Sequence, residues 1–164
     1  MAFDLFEEVV GSWLQTKGYF IMSNIKYYGN KEIDILATKI GENKVIHIEV
    51  SCSSNPRGIF GVSNLSAKDY KTHALSYLEK KYFNKYVEEK IKELTNCKDI
   101  LIERIFVHAK VKPLTYKQLE IFREKGVETV HINDIIKEIT NSKKFVGDNR
   151  MKQLFDIMDT NLKN

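Results

Sequence analysis

The sequence contains few cysteines, few prolines and no long apolar run. Its two cysteines, Cys52 and Cys97, lie far apart and match no zinc-site spacing, so the sequence indicates neither a zinc centre nor a disulfide framework. No apolar stretch approaches the ~20 residues that cross a bilayer. The N-terminal segment carries the acids Asp4, Glu7 and Glu8, whereas a signal peptide begins with basic residues. We therefore expect a cytoplasmic protein with no membrane segment.

Positive charge is in slight excess. The 164 residues include 26 lysines and arginines and 22 aspartates and glutamates, which gives a formal charge of +4 and a pI of about 8.9. This balance is compatible with a polyanionic partner such as DNA, although many proteins of similar charge bind none. The length and the hydrophobic fraction of 43% predict one globular domain with a substantial core.

The chain is divided into one domain and a C-terminal extension. Residues 1–140 are expected to form the domain. Residues 141–164 are expected to form a short tether and an amphipathic helix, whose apolar stripe contains Met151, Leu154, Phe155, Met158 and Leu162. That stripe is equally compatible with a homodimer and with completion of the monomer's own core.

Hydrophobic periodicity predicts a helix and then three strands. A helical stripe over residues 2–17 is followed by three alternating runs at 19–28, 31–39 and 44–52, which are joined by short turns. These runs predict an antiparallel three-strand meander. Residues 53–64 are rich in Ser, Asn and Gly and are expected to form an exposed loop.

The second half of the chain predicts alternating helices and strands. Ser66 and Asp69 resemble a capping box at the start of a long helix, which is expected to run, with a break, to about Leu94. There follow a strand over 100–109, a helix over 115–126, a strand over 127–132 and a helix capped by Asn133. The fold class is therefore α/β, and the predicted order is αβββαβαβα followed by the C-terminal helix.

Two acidic residues lie among apolar neighbours in the second and third predicted strands. Asp34 is flanked by two isoleucines, and Glu49 by an isoleucine and a valine. An unpaired carboxylate in such a place is costly unless it is protonated, paired or bound to a cation. Adjacent antiparallel strands can place the two carboxylates side by side, where a divalent metal ion would remove their repulsion. The pattern therefore favours a metal site on Asp34 and Glu49.

The first helix offers a third acid. Glu7 lies at the margin of the apolar stripe, whereas Glu8 points to the opposite face. Each acid taken alone has an ordinary structural explanation, with Glu7 at the rim of a helix, Asp34 at a turn and Glu49 paired with a lysine. Their occurrence in successive elements favours a shared site.

Four segments resemble the restriction-endonuclease-like, or PD-(D/E)XK, nuclease superfamily, which includes archaeal Holliday-junction resolvases and Mrr-type restriction nucleases. The segments are Phe3-Asp4-Leu5-Phe6-Glu7-Glu8, Gly18-Tyr19, Glu32-Ile33-Asp34-Ile35-Leu36-Ala37 and Ile48-Glu49-Val50-Ser51. The resemblance covers roughly the first half of the chain. It implies an αβββαβ core, in which helices flank a mixed central sheet, with additional C-terminal α/β elements.

The same resemblance implies a metal-dependent hydrolase that acts on DNA. In such enzymes the Asp and the Glu hold Mg²⁺, or Mn²⁺ as a substitute, against the scissile phosphate, which makes Asp34 and Glu49 the expected metal ligands. The helix acid, Glu7, would assist. The lysine of the Glu-x-Lys motif helps to orient or activate the attacking water.

The sequence departs from the family motif at that lysine, because position 51 is serine. A hydroxyl carries no charge and cannot replace an ammonium at the transition state. Some members of the superfamily place the lysine on the following helix. Lys71 falls near the centre of the apolar stripe of that helix and Lys68 at its edge. The alternative is that Lys71 extends along the helix to solvent.

Several basic residues are weaker candidates for contacts with nucleic acid. Arg57, Lys68 and Lys31 could contact phosphates, as could Lys26 and the lysines between 80 and 85, although each is also an ordinary surface charge.

Three further side chains have both a functional and a structural explanation. His47 shares a strand face with Glu49 and could contact a metal or a phosphate, although a lone strand histidine is more often packed and hydrogen-bonded. Tyr27 and Tyr28 could stack on bases, although aromatic residues of strands usually pack in the fold.

These observations leave three hypotheses. The leading one is a magnesium-dependent endodeoxyribonuclease with Glu7, Asp34, Glu49 and Lys71 as catalytic residues. The second is a catalytically inactive nuclease-fold protein that binds nucleic acid, because serine replaces the lysine at position 51. The third is an assembly protein that dimerises through its C-terminal helix. Metal-dependent cleavage separates the first two, and the third predicts neither cleavage nor binding.

Overall fold

The computed structural model describes residues 5–52, 69–109 and 113–142, with the backbone alone for 113–115. In chain order its elements are α1 (Leu5–Thr16), β1 (Phe20–Lys26), β2 (Glu32–Thr38), β3 (Lys44–Ser51), α2 (Tyr70–Lys81), α3 (Lys85–Thr95), β4 (Leu101–His108), α4 (Pro113–Glu124), β5 (Val127–His131) and α5 (Ile132–Asn141).

The five strands form one mixed sheet in the order β1-β2-β3-β4-β5. The first three are antiparallel neighbours, and β4 and β5 run parallel to β3. Parallel neighbours need a crossover connection. Helices α2 and α3 connect β3 to β4, and α4 connects β4 to β5. The predictions of an α/β fold, an N-terminal helix, an antiparallel meander and a mixed sheet flanked by helices are confirmed.

The end of α1 shows how the sequence reverses the chain into the sheet. Gly18 has a φ of 82°, which a side chain would disfavour. The N–H of Gly18 donates to the carbonyl of Gln15 (2.9 Å), and the N–H of Tyr19 donates to that of Leu14 (3.1 Å). These two bonds are those of a Schellman motif and satisfy the last carbonyls of the helix, so that β1 begins directly afterwards.

Helices cover both faces of the sheet. One face packs against α1 and α5, through a core that includes Val10, Trp13, Ile35, Ile48 and Ile136. The other face packs against α2 and α4, through a core that includes Leu78, Tyr82, Phe106 and Phe122. On that same side, Val87 and Ile91 of α3 pack with Leu36 and Val45. The central residues of β2 and β3 are therefore buried on both faces, and all of them are apolar except Asp34, His47 and Glu49.

Two helix starts can be compared with their predictions. The predicted long helix is divided into α2 and α3, as expected, because the side chain of Asn84 caps α3 by accepting from the N–H of Tyr86 (2.9 Å). The prediction that Asn133 caps the last described helix is wrong. His131 is the cap instead, because its Nδ1 accepts from the N–H of Asn133 (3.1 Å).

Several predictions fall on residues that the structure does not describe. They include the loop at 53–64, Ser66, Arg57, Lys68 and, beyond residue 142, the C-terminal extension. Within the described ranges, no helix combines the length and the apolar character needed to cross a membrane.

Candidate metal centre

The ladder between β2 and β3 ends beside Asp34. Its last pair at this end is Ile35 with Ile48. Beyond that pair, the N–H of Val50 donates to the carboxylate Oδ2 of Asp34 (2.8 Å). At this point a side-chain carboxylate, rather than a backbone carbonyl, accepts the hydrogen bond from the neighbouring strand. The two strands therefore separate where each carries its acidic residue, whereas the parallel ladder between β3 and β4 continues to its last pair, Ser51 with His108.

Both acids are buried on the sheet face that is covered by α2. Glu49 is 0% exposed and Asp34 is 8% exposed. Successive side chains of a strand point to opposite faces. Because Ile35 and Ile48 face α1 and α5, their neighbours Asp34 and Glu49 point to the opposite face. Two carboxylates in such a place need a cation, a proton or hydrogen-bond donors.

Among the described residues, the cation that contacts this pair is Lys81, the last residue of α2. The Nζ of Lys81 lies 2.5 Å from Oε2 of Glu49 and 3.8 Å from Oδ1 of Asp34. It also donates to the backbone carbonyl of Glu32 (3.3 Å). One ammonium is therefore shared by both carboxylates at the point where the strands separate.

The second carboxylate oxygen of Glu49 is held by a histidine. Nε2 of His47 lies 2.9 Å from Oε1 of Glu49. Burial lowers the pKa of His47 to about 3, so the imidazole is neutral and the contact is a hydrogen bond rather than an ion pair. Nδ1 has no hydrogen-bond partner among the described residues, which favours the tautomer whose Nε2–H donates to Glu49.

Tyr82 fixes that histidine in place. Its ring centroid lies 4.8 Å from that of His47, and its hydroxyl donates to the backbone carbonyl of Ile105 (2.7 Å). Both rings are fully buried. The orientation of Glu49 is therefore determined from two sides, by Lys81 at one oxygen and by His47 at the other.

The protonation of the acid pair is strongly perturbed. Burial, and next the negative charge of Glu49, raise the pKa of Asp34 from 3.8 to about 7. Burial likewise raises the pKa of Glu49 from 4.5 to about 7, against the opposing effect of the Lys81 ammonium. Burial disfavours that ammonium too, but the charges of Glu49 and Asp34 outweigh it and raise the pKa of Lys81. Near neutral pH both carboxyl groups therefore change their protonation state.

The metal-free protein should lose stability as the pH rises from about 4 to about 7. A carboxyl group whose pKa is higher in the folded chain binds its proton more tightly when folded, so deprotonation favours unfolding. The loss begins near the unfolded values of 3.8 for Asp34 and 4.5 for Glu49 and is complete above the folded values of about 7. Thermal denaturation in EDTA between pH 4 and pH 8 measures it.

The control for this pH profile is the double variant Asp34→Asn/Glu49→Gln. It retains every other titrating group, so subtracting its profile isolates the two carboxyls. The double variant should itself show almost none of this slope, and the difference between the two profiles should contain it. Identical profiles for the wild type and the double variant would contradict the raised pKa values.

The structure does not add Glu7 to this acid pair. Glu7 is half-buried in the first turn of α1, and α1 packs on the sheet face opposite to that of Asp34 and Glu49. Among the described residues, no group of three or more His, Cys, Asp or Glu side chains is arranged to hold a metal ion. The structure therefore brings together two of the three predicted acids.

Lys71 does not occupy the position expected for it. It is exposed in the first turn of α2, ten residues before Lys81 and so about 15 Å from it along the helix axis. The fully buried residues of α2 are Ala74 and Leu78, and Tyr70 and Leu75 pack beside them partly buried. Lys81, seven residues after Ala74, lies on the same face of the helix and contacts both acids.

Lys31 is half-buried at the base of the β1–β2 hairpin, where its carbonyl accepts from the N–H of Tyr27 (3.0 Å). Lys81 was expected only among the lysines that could contact phosphates and not beside the acids, although the spacing of Ala74, Leu78 and Lys81 is a readable signal for that contact. Comparison of the chain with family models, with curated proteins and with solved structures gave no match.

Proposed function

We propose that this chain is a metal-dependent endonuclease of the restriction-endonuclease-like fold, which hydrolyses phosphodiester bonds of DNA. The observation that carries the proposal is the pair of buried carboxylates, Asp34 and Glu49, which share the Lys81 ammonium where β2 and β3 separate. An acid in each of two adjacent strands and a lysine from the next helix is the arrangement that the family resemblance implies.

The donor set fits a divalent cation. Mg²⁺ and Mn²⁺ prefer carboxylate oxygens, and the two acids already converge on one positive charge. Asp34 and Glu49 would hold the metal. When bound, the metal supplies a Lewis acid and lowers the pKa of a coordinated water.

The other residues of the centre have distinct tasks in this proposal. Lys81 provides a mobile positive charge, which can turn from the carboxylates to a phosphate or to the attacking water. His47 keeps one oxygen of Glu49 in place by its hydrogen bond, and Tyr82 keeps His47 in place. Ser51 then needs no catalytic role, because the lysine reaches the centre from α2.

A second candidate function is nucleic-acid binding without cleavage. It is favoured by Ser51 and by the ion pair between Lys81 and Glu49. A buried ion pair of this kind can exist for structural reasons alone. The two candidates differ in one property, which is whether a divalent metal displaces the ammonium.

Cleavage assays test the proposal. Supercoiled plasmid, linear duplex and circular single-stranded DNA are incubated with Mg²⁺, Mn²⁺ or EDTA. We expect nicks or breaks with either metal and none in EDTA.

Lys71→Ala is the matched control for these assays, because it removes an exposed lysine from the same helix. It should cleave at the wild-type rate. Intact substrates after prolonged incubation at high protein concentration, with both metals, would contradict the nuclease proposal and favour the binding protein.

A further inference from the structure

The β1–β2 hairpin and the α2–α3 junction form one basic and aromatic surface. We define this tyrosine–lysine surface as the segments 26–31 and 80–86. Together they contain five lysines, the tyrosines Tyr27, Tyr28 and Tyr86 outside the core, the buried Tyr82 and no acidic residue, and Glu32 and Glu79 adjoin them in the chain. The whole chain is far more balanced, with 26 basic and 22 acidic residues. Positive charge and aromatic rings are therefore concentrated here.

Direct contacts hold the two segments together. The hydroxyl of Tyr27 donates to the backbone carbonyl of Lys80 (3.5 Å). The rings of Tyr28 and Tyr86 are stacked, with centroids 4.5 Å apart and planes inclined by 9°. Nζ of Lys85 lies 4.9 Å from the centroid of the Tyr86 ring. The hairpin tip is thus fixed to the start of α3 by a parallel aromatic stack with a cation beside it.

Tyr28 remains largely in water despite this stack. It is 65% exposed, whereas Tyr82, which supports the acid pair, is fully buried. A stack on one face of a ring leaves its other face available for a second flat group. Tyr28 therefore exposes one face of its ring to solvent while Tyr86 packs against the other face.

The surface lies next to the candidate metal centre. Lys81 belongs to both, because its Nζ contacts Glu49. On the hairpin side, Lys31 precedes Asp34 by three residues, about 10 Å of extended strand.

We propose that the Tyr28–Tyr86 stack binds an unpaired base of a nucleic-acid strand while Lys80 and Lys85 contact its phosphates. The inference rests on the proposed nuclease function and specifies its substrate as one with unpaired nucleotides near the cut. Base–aromatic stacking tolerates any base, and lysines neutralise the backbone. In a duplex the faces of the bases are covered by their neighbours, so an exposed ring has a stacking partner only where the duplex is open.

Fluorescence anisotropy with labelled oligonucleotides tests the inference on the full chain in EDTA, where no cleavage occurs. The probes are a 16-nucleotide oligothymidylate, an abasic chain with the same number of phosphates, and a duplex of equal length. The wild type should bind oligothymidylate more tightly than either other probe. Tyr28→Ala should weaken binding of oligothymidylate about tenfold and leave binding of the abasic chain unchanged. Tyr28→Trp should restore it.

Two controls separate stacking from charge and from general surface effects. Lys85→Ala should lower the slope of log K against log salt concentration by about 0.7 for the single strand. Tyr116→Ala, which removes a tyrosine that is 58% exposed on α4, should change nothing. Equal wild-type affinities for oligothymidylate and the abasic chain would overturn the inference. So would parallel losses for both probes in Tyr28→Ala, because they would indicate a displaced hairpin.

The outcomes of this experiment and of the cleavage assays are independent. If the base-dependent binding is found and no metal supports cleavage, the nuclease proposal fails and the stacking site stands. If the protein cleaves DNA and Tyr28→Ala binds oligothymidylate like the wild type, the stacking site fails and the nuclease proposal stands.

Discussion

Lys81→Met should reduce cleavage by about 10²- to 10³-fold, the range found when one preorganised charge-stabilising group is removed from an active site. Methionine retains the apolar stem of the side chain and removes only the ammonium, which lies 2.5 Å from Glu49 and 3.8 Å from Asp34. Metal affinity should be unchanged or higher, because a competing cation has gone. Single-turnover cleavage and calorimetric titration with Mn²⁺ measure the two effects separately.

The same variant should destabilise the metal-free protein in a pH-dependent manner. Breaking a buried ion pair typically costs about 3 to 5 kcal/mol, but these acids can take up protons instead, so we expect about 1 to 3 kcal/mol at pH 8. The ammonium opposes the rise in the pKa of both acids, so without it both pKa values rise further. The destabilisation should therefore shrink at pH 5, where both carboxyls are protonated.

Lys71→Met is the control for this pair of measurements, because it makes the same chemical change at an exposed position of α2. It should leave cleavage, metal affinity and the pH profile as they are in the wild type. Wild-type cleavage by Lys81→Met would remove Lys81 from the mechanism. A destabilisation without any change in cleavage or in metal affinity would leave it a purely structural partner of the acids.

The pairing of Asp34 with Glu49 was predictable because strand alternation and turn length together fix a hairpin register. The turn between β2 and β3 is short, and the observed pair Ile35 with Ile48 places the two acids one step further on opposite strands. The sequence could not show that the ladder stops at Asp34. That outcome depends on the carboxylate competing with a backbone carbonyl for the N–H of Val50.

Helix periodicity was informative about orientation and uninformative about the position of a helix on the sheet. Glu7 lies at the margin of the apolar stripe of α1, which predicts that it points toward the sheet. The periodicity does not show which face of the sheet the helix covers. Lys71 is exposed in the first turn of α2, although its neighbours belong to the predicted apolar stripe, which packs on the core through Tyr70, Ala74, Leu75 and Leu78. The fully buried part of that stripe contains Ala74 and Leu78, and the next turn brings Lys81 to the acids. Long side chains on a solvated helix end are easily taken for surface, as Lys81 was.

Asp34→Asn should abolish metal-dependent cleavage and stabilise the metal-free protein at pH 8. The amide oxygen can still accept from the N–H of Val50, so the local structure is retained. Removing one of two repelling charges leaves Glu49 and Lys81 as a one-to-one pair, and a gain of about 1 kcal/mol is expected for charges at a partly solvated site. Urea denaturation in EDTA at pH 8 measures this gain. At pH 5 the gain should vanish, because the raised pKa of about 7 already leaves Asp34 protonated there.

In the presence of metal, the difference in stability between the wild type and Asp34→Asn should have the opposite sign. A ligand at 100 times its dissociation constant stabilises the folded state by about 2.7 kcal/mol, so Mg²⁺ or Mn²⁺ at that excess should stabilise the wild type by this amount. Asp34→Asn lacks one of the two carboxylate ligands and should gain little from the same concentration. The order of stability at pH 8 should therefore reverse, with the variant more stable in EDTA and the wild type more stable in metal. A variant that is less stable than the wild type in EDTA, and a wild type that does not respond to metal, would together show that Asp34 serves the fold through Val50 and Lys81 and holds no cation.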